Sequence, residues 1–367
     1  MIYLDNAATS FPKPRSVIRE VTRCLSQYCG NPGRSSHALA LAAADKIFET
    51  RELIADFLGI GACENVVFTP NATYALNMVI KGLVATGDHC IVSDLEHNSV
   101  LRPIYKAVGI SGEVSVFNSD KPLEESLVPL IRADTKAIIS TLCSNVTGKI
   151  LNLHELSSIA KEHGLYLVLD VSQYVGHAPL DLNGVYFSAL CTAGHKSLMG
   201  IQGSAFAAIN TYELFETLTE GGSGVDSFSK TMPQLLPERY EAGTLSTPAI
   251  ASLGAGIKFI NEVGIDKIEE RIRTLTKIMR EEISALPNIR LYGAENGIAS
   301  FNVGDYPSSH VAELLDKYGI ATRSGFHCAP LVHKKLGTEK SGAVRASLSY
   351  FNTENDIYAL IRALKSI

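Results

Sequence analysis

Short apolar runs rich in β-branched residues alternate with helix-length segments over the first two thirds of the chain. The runs that predict buried strands are 66–68, 90–93, 136–141, 165–169, 186–190 and 204–208. Helical patterns such as 71–84 and 153–163 lie between them, and Gly164 follows the second one as a C-cap. This alternation predicts an α/β fold with a mostly parallel sheet flanked by helices, whose ligands bind beyond the carboxyl ends of the strands.

The pattern changes after position 248, where two long helices are predicted over 250–263 and 267–286. A smaller α+β region follows them to the C-terminus. We therefore predict a large domain over 12–248 and a smaller domain formed by 1–11 together with 249–367.

Composition narrows the classes of function. The 367 residues carry a net charge of −5, which argues against a nucleic-acid-binding face. The N-terminus has no basic segment before an apolar run, and no apolar stretch reaches membrane-spanning length, so neither a signal peptide nor a membrane partner is expected. Seven scattered cysteines, an odd number without a CxxC pair, predict reduced thiols in the cytoplasm and no metal site.

Two charged residues at the ends of apolar runs give the first chemical signal. Lys196 follows Gly194 and His195, just past the run that ends at Leu190. A lysine in such a turn is suited to a Schiff base, although it is also compatible with a surface position in a glycine turn. Asp170 closes another run and could pair with a pyridinium nitrogen, cap a helix or bind a metal. One strand–helix–strand unit separates the two residues, so both can reach one pocket.

Two further segments are weaker signals. Asn71, Ala72 and Thr73 open a predicted helix after a strand, and such a helix start can bind phosphate or simply be capped by Asn71. His97 lies near the end of another strand, where it could stack on an aromatic ring or be structural.

A cysteine and an arginine in the C-terminal region complete the set. Cys328 lies in a glycine turn with Arg323 and His327, a setting that suits a partly exposed reactive thiol. The other six cysteines fall in apolar runs or on helices and are predicted to be small hydrophobic residues. Arg345 interrupts a strand-like stretch, where it could hold a carboxylate or form an ordinary ion pair.

In combination and in order, these segments resemble the cysteine desulfurases and selenocysteine lyases of the class V aminotransferase superfamily. The resemblance runs nearly end to end, and the ordered set is far more specific than any one segment. The matching segments are 3–9 (YLDNAAT), 31–37 (NPGRSSH), 96–99 (EHNS), 144–148 (SNVTG), 170–173 (DVSQ), 194–196 (GHK), 241–244 (EAGT), 323–328 (RSGFHC) and 345–348 (RASL). The resemblance implies a fold-type I enzyme that uses pyridoxal 5'-phosphate.

The resemblance also implies a role for each matching residue around the cofactor ring. Lys196 would form the Schiff base and later move protons, and Asp170 would hold the ring nitrogen. His97 would stack on the ring, and Gln173 would bond the ring oxygen.

The remaining implied roles concern the phosphate, the substrate and the sulfur. Thr73, His195 and the backbone near Ala72 would bind the phosphate, and Thr244 would reach it from a second subunit of a homodimer. Cys328 would attack the sulfur of the substrate L-cysteine. The implied substrate-binding residues are Asn145, Arg345, Arg323 and His37. The short cysteine segment resembles a branch that often passes its persulfide to a sulfur-acceptor protein.

The chain departs from the family pattern at two phosphate positions. Ala193 stands where relatives usually have Ser or Thr, and Thr192 is one residue early. Ala72 likewise supplies no hydroxyl. We therefore expect the phosphate contacts to be rearranged relative to the family pattern.

Alternative functions use much of the same set. Selenocysteine lyase would need the same residues, and another class V aminotransferase would need no thiol at position 328. A sulfur carrier that kept the fold without the cofactor is disfavoured by Lys196, Asp170 and His97 occurring together.

Overall fold

The computed structural model describes residues 1–33, 36–211 and 213–367, so Arg34 and Ser35 of the 31–37 motif lie outside the described residues. In chain order the strands are β1 Ile2–Tyr3, β2 Val66–Thr69, β3 His89–Ser93, β4 Glu113–Phe117, β5 Thr135–Thr141, β6 Tyr166–Asp170, β7 Ala189–Ala193, β8 Ala205–Ile209, β9 Ile289–Glu295, β10 Ile298–Val303, β11 Ile320–Ala321, β12 Arg323–Gly325 and β13 Ala343–Ser347. The α-helices are α1 Arg15–Arg23, α2 Ala38–Leu58, α3 Ala72–Leu83, α4 Asn98–Val108, α5 Leu123–Ser126, α6 Leu153–Glu162, α7 Thr247–Val263, α8 Ile265–Ser284, α9 Ser308–Lys317, α10 Pro330–Leu336 and α11 Glu354–Leu364. Short π- and 3₁₀-helical turns cover Cys24–Tyr28, Cys63–Asn65 and Val128–Leu130.

The central sheet explains the unbroken apolar runs. Within the described part of the chain it has seven strands in the order β2-β8-β7-β6-β5-β3-β4, all parallel except β8. Its central strands are covered on both faces: Ile138 of β5 packs into the core on one side and Ile139 into the core on the other. Helices α3 and α4 cover one face, and α6 and α7 cover the other. The predicted α/β class with a mostly parallel sheet is confirmed.

One predicted strand is wrong in its bounds. The run 186–190 predicted a strand there, but β7 occupies Ala189–Ala193. Phe187 is buried in the core ahead of the strand, and the amide of Ser188 donates to Leu167 O at 2.8 Å. Burial therefore made the run apolar before the strand began. As a result Lys196 follows the strand by three residues instead of six.

The C-terminal region forms a separate antiparallel sheet, β12-β13-β10-β9, against which α8 and α9 pack. The N-terminus belongs with this region, because β1 pairs with β11 and Asp5 bridges to Ser347. One hydrophobic cluster nevertheless runs through both parts, from Leu169 through Leu253 to Phe301. The division at 12–248 therefore stays a prediction.

A buried ion pair fixes α2 to the segment that precedes α7. Both nitrogens at the end of Arg51 donate to the carboxylate of Glu241 at 2.9 Å, and the amide of Phe68 donates to the same carboxylate at 2.7 Å. Arg51 also lies over the Phe68 ring. In the described ranges no helix combines the length and apolar character needed to cross a bilayer.

Candidate active site

A cavity of about 220 Å³ opens where β5, β6 and β7 end and α3 and α4 begin. Carboxyl ends of parallel strands share one edge of a sheet, which is why residues far apart in sequence meet there. Ten residues predicted from the sequence line this cavity: Lys196, His97, Asp170, Gln173, Thr73, Ala72, His195, Asn145, Arg345 and Arg323.

The turn that carries Lys196 is held from two sides. The amide of Gly194 donates to Ser204 O at 2.8 Å, which ties the turn to β8. On the other side, Gly256 of α7 approaches so closely that a Cβ there would lie 2.1 Å from Leu198 O. The backbone under the lysine is therefore fixed, and the amine is directed into the cavity it lines.

Lys196 and Asp170 bring an amine and a carboxylate into the cavity. Burial lowers the pKa of Lys196 to about 8, and the carboxylate of Asp170 opposes that shift. With that pKa, about a tenth of the amine is neutral at pH 7 and able to act as a nucleophile or base. Asp170 is the last residue of β6, in register with Thr141 and Cys191 of the neighbouring strands.

The surroundings of Asp170 fit a protonated ring nitrogen. Its Oδ1 accepts the amide of Ser172 at 3.0 Å, and the carboxylate lines the cavity. The hydroxyl of Ser172 and Nε of Arg345 also belong to cavity-lining residues, and neither atom has a partner among the described residues. Leaving a buried polar atom without a hydrogen-bond partner costs free energy. The presence of two such atoms around this cavity therefore fits a polar cofactor and a substrate that carries a carboxylate.

His97 both caps a helix and lines the cavity. As the N-cap of α4 it accepts the amide of Ser99 on Nδ1 at 3.0 Å. Burial and the charge of Lys196 lower the pKa of His97 to about 4, so its ring is neutral at physiological pH. His97 is therefore a helix cap whose side chain also lines the cavity. Its stacking on a cofactor stays a prediction.

The start of α3, where the phosphate is predicted to bind, differs from the family pattern in which residues supply its hydroxyl groups. Ala72 and Thr73 open α3, where first-turn amides have no intrahelical acceptor. Thr73 Oγ1 lies 2.7 Å from the hydroxyl of Ser99, a residue that the sequence analysis did not assign. Ala193 lines the cavity without a hydroxyl, and the buried hydroxyl of Thr192 has no partner among the described residues. Ser99, and not Thr192, therefore places a second hydroxyl on the cavity beside Thr73.

The N-terminal segment closes one side of the cavity. Gln173 donates from Nε2 to Ala7 O at 2.9 Å. His195 Nδ1 lies 3.1 Å from the hydroxyl of Thr9, and burial lowers the pKa of His195 to about 4. Lys13 donates to His195 O at 2.8 Å, and burial lowers the pKa of Lys13 to about 8.

Two arginines line the end of the cavity where the substrate is predicted to bind. Arg345 is buried and donates to Asp5 Oδ1 and to Asn145 O, each at 2.9 Å. Arg323 lies directly opposite it across β12 and β13, and both line the cavity. Like charges directly opposite each other on a sheet repel, so an anionic group between them would be stabilising.

Cys328 lies outside the cavity, exposed on an adjoining groove of about 350 Å³. We call it the α3–α4 groove; its lining residues are Thr73, Asn77, Lys81, His97, Asn98, Ser99, Arg102, Pro103, Lys106 and Cys328. Three of these, Thr73, His97 and Ser99, also line the cavity, so the two spaces adjoin. The groove that bears the thiol and the cavity that holds Lys196 therefore share a wall.

The backbone beside this thiol is held in an unusual conformation. His327 and Cys328 have φ values of 49° and 55°, the left-handed region that non-glycine residues rarely adopt. Asn98 N donates to Cys328 O at 2.7 Å, and Asn145 Nδ2 donates to His327 O at 2.8 Å. The buried ring of His327 stacks on His333 at 5.5 Å between centroids. These contacts hold the cysteine segment in place.

Two predicted residues lie away from the cavity. Thr244 is exposed in a separate cleft of about 390 Å³ beside Arg51 and Glu241, as expected if it serves a second subunit. His37 is exposed and caps α2 by accepting the amide of Ala40 at 3.3 Å. The roles of both in binding stay predictions.

One expectation about the cysteines needs correction. Cys29 is exposed and lies outside any helix or strand, so the prediction that the other six cysteines are small hydrophobic residues in apolar runs or on helices is wrong for Cys29. Cys143 is buried as predicted, but it also lines the cavity, with Asn296 Nδ2 3.3 Å from its sulfur. Burial raises the pKa of Cys143 to about 12, so this thiol stays protonated.

Glu96 belongs to the matching segment 96–99 but has no predicted role, and its side chain is fully buried. One carboxyl oxygen accepts from the hydroxyl of Ser93 and from the amide of Thr141, the latter at 2.8 Å. The other oxygen has no partner among the described residues. Burial raises the pKa of Glu96 to about 8, so it is largely protonated and cross-links β3 to β5. An acidic residue three positions after an apolar strand was the available signal.

Comparison with known proteins places this site in a family. Residues 2–360 match the model of the aminotransferase class V family. A probable cysteine desulfurase from Methanothermobacter thermautotrophicus is 32% identical over the whole chain and 94% of the relative. The apo structure of cysteine desulfurase from Thermococcus onnurineus NA1 is 30% identical with a TM-score of 0.90, over 100% of this chain and 94% of that one. Cysteine desulfurase CsdA from Escherichia coli is 26% identical with a TM-score of 0.88, over 99% and 94%.

The fold and cavity therefore define an enzyme of the fold-type I class. The chain belongs to the aminotransferase class V family, and the relatives above are named cysteine desulfurases. This confirms the family, the fold class and the cofactor, pyridoxal phosphate, that the sequence predicted.

Proposed function

We propose that this chain is a cysteine desulfurase that converts L-cysteine to L-alanine and places the sulfur on Cys328 as a persulfide. The observation that carries the proposal is the adjacency of two spaces. A cavity with Lys196, Asp170 and paired arginines adjoins a groove that bears an exposed thiol. A member of the family that transaminates its substrate would not need that thiol.

The cavity residues fit the cofactor in a definite orientation. Pyridoxal phosphate, when bound, supplies an electron sink for negative charge that develops at the substrate Cα. Lys196 would hold its aldehyde carbon, Asp170 its ring nitrogen and His97 its ring face. Thr73 and Ser99 would hold the phosphate, together with the first amides of α3.

Substrate binding and proton transfer follow from charge. Arg323 and Arg345 would hold the carboxylate of L-cysteine between them. Lys196, with a pKa lowered to about 8 by burial, can take the Cα proton in its neutral form and return one in its charged form.

The sulfur step balances without an outside redox partner. A bond forms between Cys328 Sγ and the substrate sulfur while the substrate Cβ–S bond breaks. The carbon keeps the electron pair and takes a proton, which yields alanine. Cysteine and one enzyme thiol thus become alanine and one enzyme persulfide.

We also propose that the chain forms a homodimer in the cytoplasm. Exposed apolar side chains line two clefts: Phe48 lies in the cleft that holds Thr244, and Leu41 lies in a neighbouring cleft. Clusters of this kind are typical of protein interfaces. All seven cysteines, which lie within the described residues, are free thiols, as expected in a reducing compartment. Light scattering would test the dimer, and a fully active monomer would contradict the role of Thr244.

The activity is tested on the purified protein with its cofactor. We expect a visible absorbance band that is lost in Lys196→Ala, and equal amounts of alanine and sulfide from L-cysteine with a reductant. Cys328→Ala should lose sulfide release from cysteine but keep alanine formation from selenocysteine. Cys29→Ala, which removes another exposed thiol, should behave as wild type.

Three outcomes would contradict the proposal. Unchanged sulfide release in Cys328→Ala would remove that thiol from the reaction. Transamination of pyruvate or glyoxylate, in place of alanine with sulfide, would assign another class V activity. A protein without the band would be a carrier that kept only the fold.

A further inference from the structure

The α3–α4 groove carries cations that the reaction in the cavity does not use. Arg102 and Lys106 lie one turn apart on α4, and Lys81 lies in the last turn of α3, all lining the groove. Cys328 lies at the start of α4, since its carbonyl accepts from Asn98, and it lines the groove together with Thr73 in the first turn of α3. A thiol and a row of positive charges therefore share one surface.

The charge of this surface is unbalanced. No aspartate or glutamate lines the groove within the described ranges, and Lys81, Arg102 and Lys106 are all exposed. The N-terminal ends of α3 and α4 add partial positive charge next to Cys328. Lys81 and Lys106 also complement the C-terminal ends of their helices, but Arg102 lies mid-helix and has no such role.

The dimensions of the groove suit an extended segment of protein. The first and last residues that line the groove are eight positions apart on each helix, Thr73 to Lys81 on α3 and Asn98 to Lys106 on α4. This corresponds to about 12 Å along the helix axis. An extended chain covers that length in about four residues. Cations one helical turn apart are separated by about 6 Å, close to the roughly 6.7 Å between alternate side chains of an extended chain.

We propose that the α3–α4 groove docks an acidic, extended segment of a sulfur-acceptor protein and places its cysteine against Cys328. This inference rests on the proposed desulfurase function. The acceptor thiolate bonds to the outer sulfur of the persulfide, the S–S bond to Cys328 breaks, and its electron pair returns to Cys328 Sγ. The sulfur moves from one thiol to another, so no oxidant or reductant is consumed.

The test uses the full-length holoenzyme, charged with L-cysteine and freed of excess substrate. Its probes are ten-residue peptides with one cysteine, flanked at alternate positions by aspartate, asparagine or lysine. Mass spectrometry follows transfer of the persulfide to each peptide. We expect the acidic peptide to react about tenfold faster than the neutral one at low ionic strength. The lysine peptide should be slowest, and added salt should reduce the differences.

Charge reversal on the enzyme gives the matched comparison. Arg102→Glu should remove the advantage of the acidic peptide, Arg102→Lys should retain most of it, and the exposed Arg280→Glu on α8 should leave it unchanged. Sulfide release to dithiothreitol, a neutral thiol, should be the same in all three variants. A role in helix stability alone would change the melting temperature but not the order of the peptides.

Each opposing result has a distinct meaning. Equal rates for the acidic and neutral peptides, with normal sulfide release to dithiothreitol, would overturn the docking proposal alone. No persulfide and no sulfide from the wild type would overturn the desulfurase function and the docking proposal with it. If an acidic tripeptide thiol such as γ-Glu-Cys-Gly showed the full charge-dependent advantage, the groove would serve small thiols and the protein-segment proposal would be wrong.

Discussion

Replacing Arg345 with glutamine tests the substrate end of the cavity most directly. The guanidinium has five N–H groups, of which one is used by Asp5 and one by Asn145. The others, including the unpartnered Nε, can donate to a carboxylate. A charge-assisted bond contributes about 1.5–3 kcal/mol, so loss of two should cost about 3–6 kcal/mol. The corresponding fall in kcat/KM is roughly 10²- to 10⁴-fold.

The assay compares L-cysteine with cysteamine, which lacks the carboxylate. Wild type should bind cysteine far more tightly than cysteamine, measured by titrating the change in the cofactor spectrum. Arg345→Gln should weaken the binding of cysteine but not of cysteamine, which removes most of the difference in affinity. Arg345→Lys should restore part of that difference because the charge remains. The exposed Arg290→Gln is the matched control. Equal losses for cysteine and cysteamine would refute carboxylate binding and leave a structural role.

Three further predictions concern stability and the cofactor turn. Arg51→Met should lower the free energy of unfolding by about 3–5 kcal/mol in urea, because it leaves a buried carboxylate unpaired, whereas Lys258→Met at an exposed pair should change it by less than about 1 kcal/mol; similar losses would contradict the argument. Burial lowers the pKa of His177 to about 4, so the unfolded chain binds its proton first and stability should fall as the pH drops from about 6.5 toward 4, by up to about 3 kcal/mol. His177→Phe should flatten urea-unfolding free energies across that range, and an unchanged slope would count against it. Gly256→Ala should weaken cofactor retention on dialysis, since its Cβ would strike Leu198 O in the turn that carries Lys196, while Gly61→Ala in open space should not; equal retention would rule this out.

The fold could be predicted from sequence wherever burial and secondary structure coincide. Predicted helices 71–84 and 153–163 match α3 and α6 to within one residue at each end, because caps such as Asn71 mark the boundary chemically. The strand at 186–190 failed because Phe187 enters the core from a loop. An apolar run reports burial, and it reports a strand only when no buried loop precedes it.

The site could be predicted where a residue type has few other uses. A lysine and an aspartate at the ends of apolar runs indicate chemistry by their position, and both line the cavity. The choice of Ser99 over Thr192 could not be predicted, because it depends on which face of a strand or helix turns inward. The placement of Cys328 depends on a left-handed backbone at two non-glycine residues, which no sequence pattern specifies.

The anchoring of the cysteine segment has a consequence for how sulfur travels. Both carbonyls of the His327–Cys328 pair accept bonds from asparagines, so the main chain there does not need to swing. Rotation about the Cα–Cβ bond offers three staggered settings. In the proposed reaction, the side chain of Cys328 alone would then turn the sulfur between the cavity and the groove.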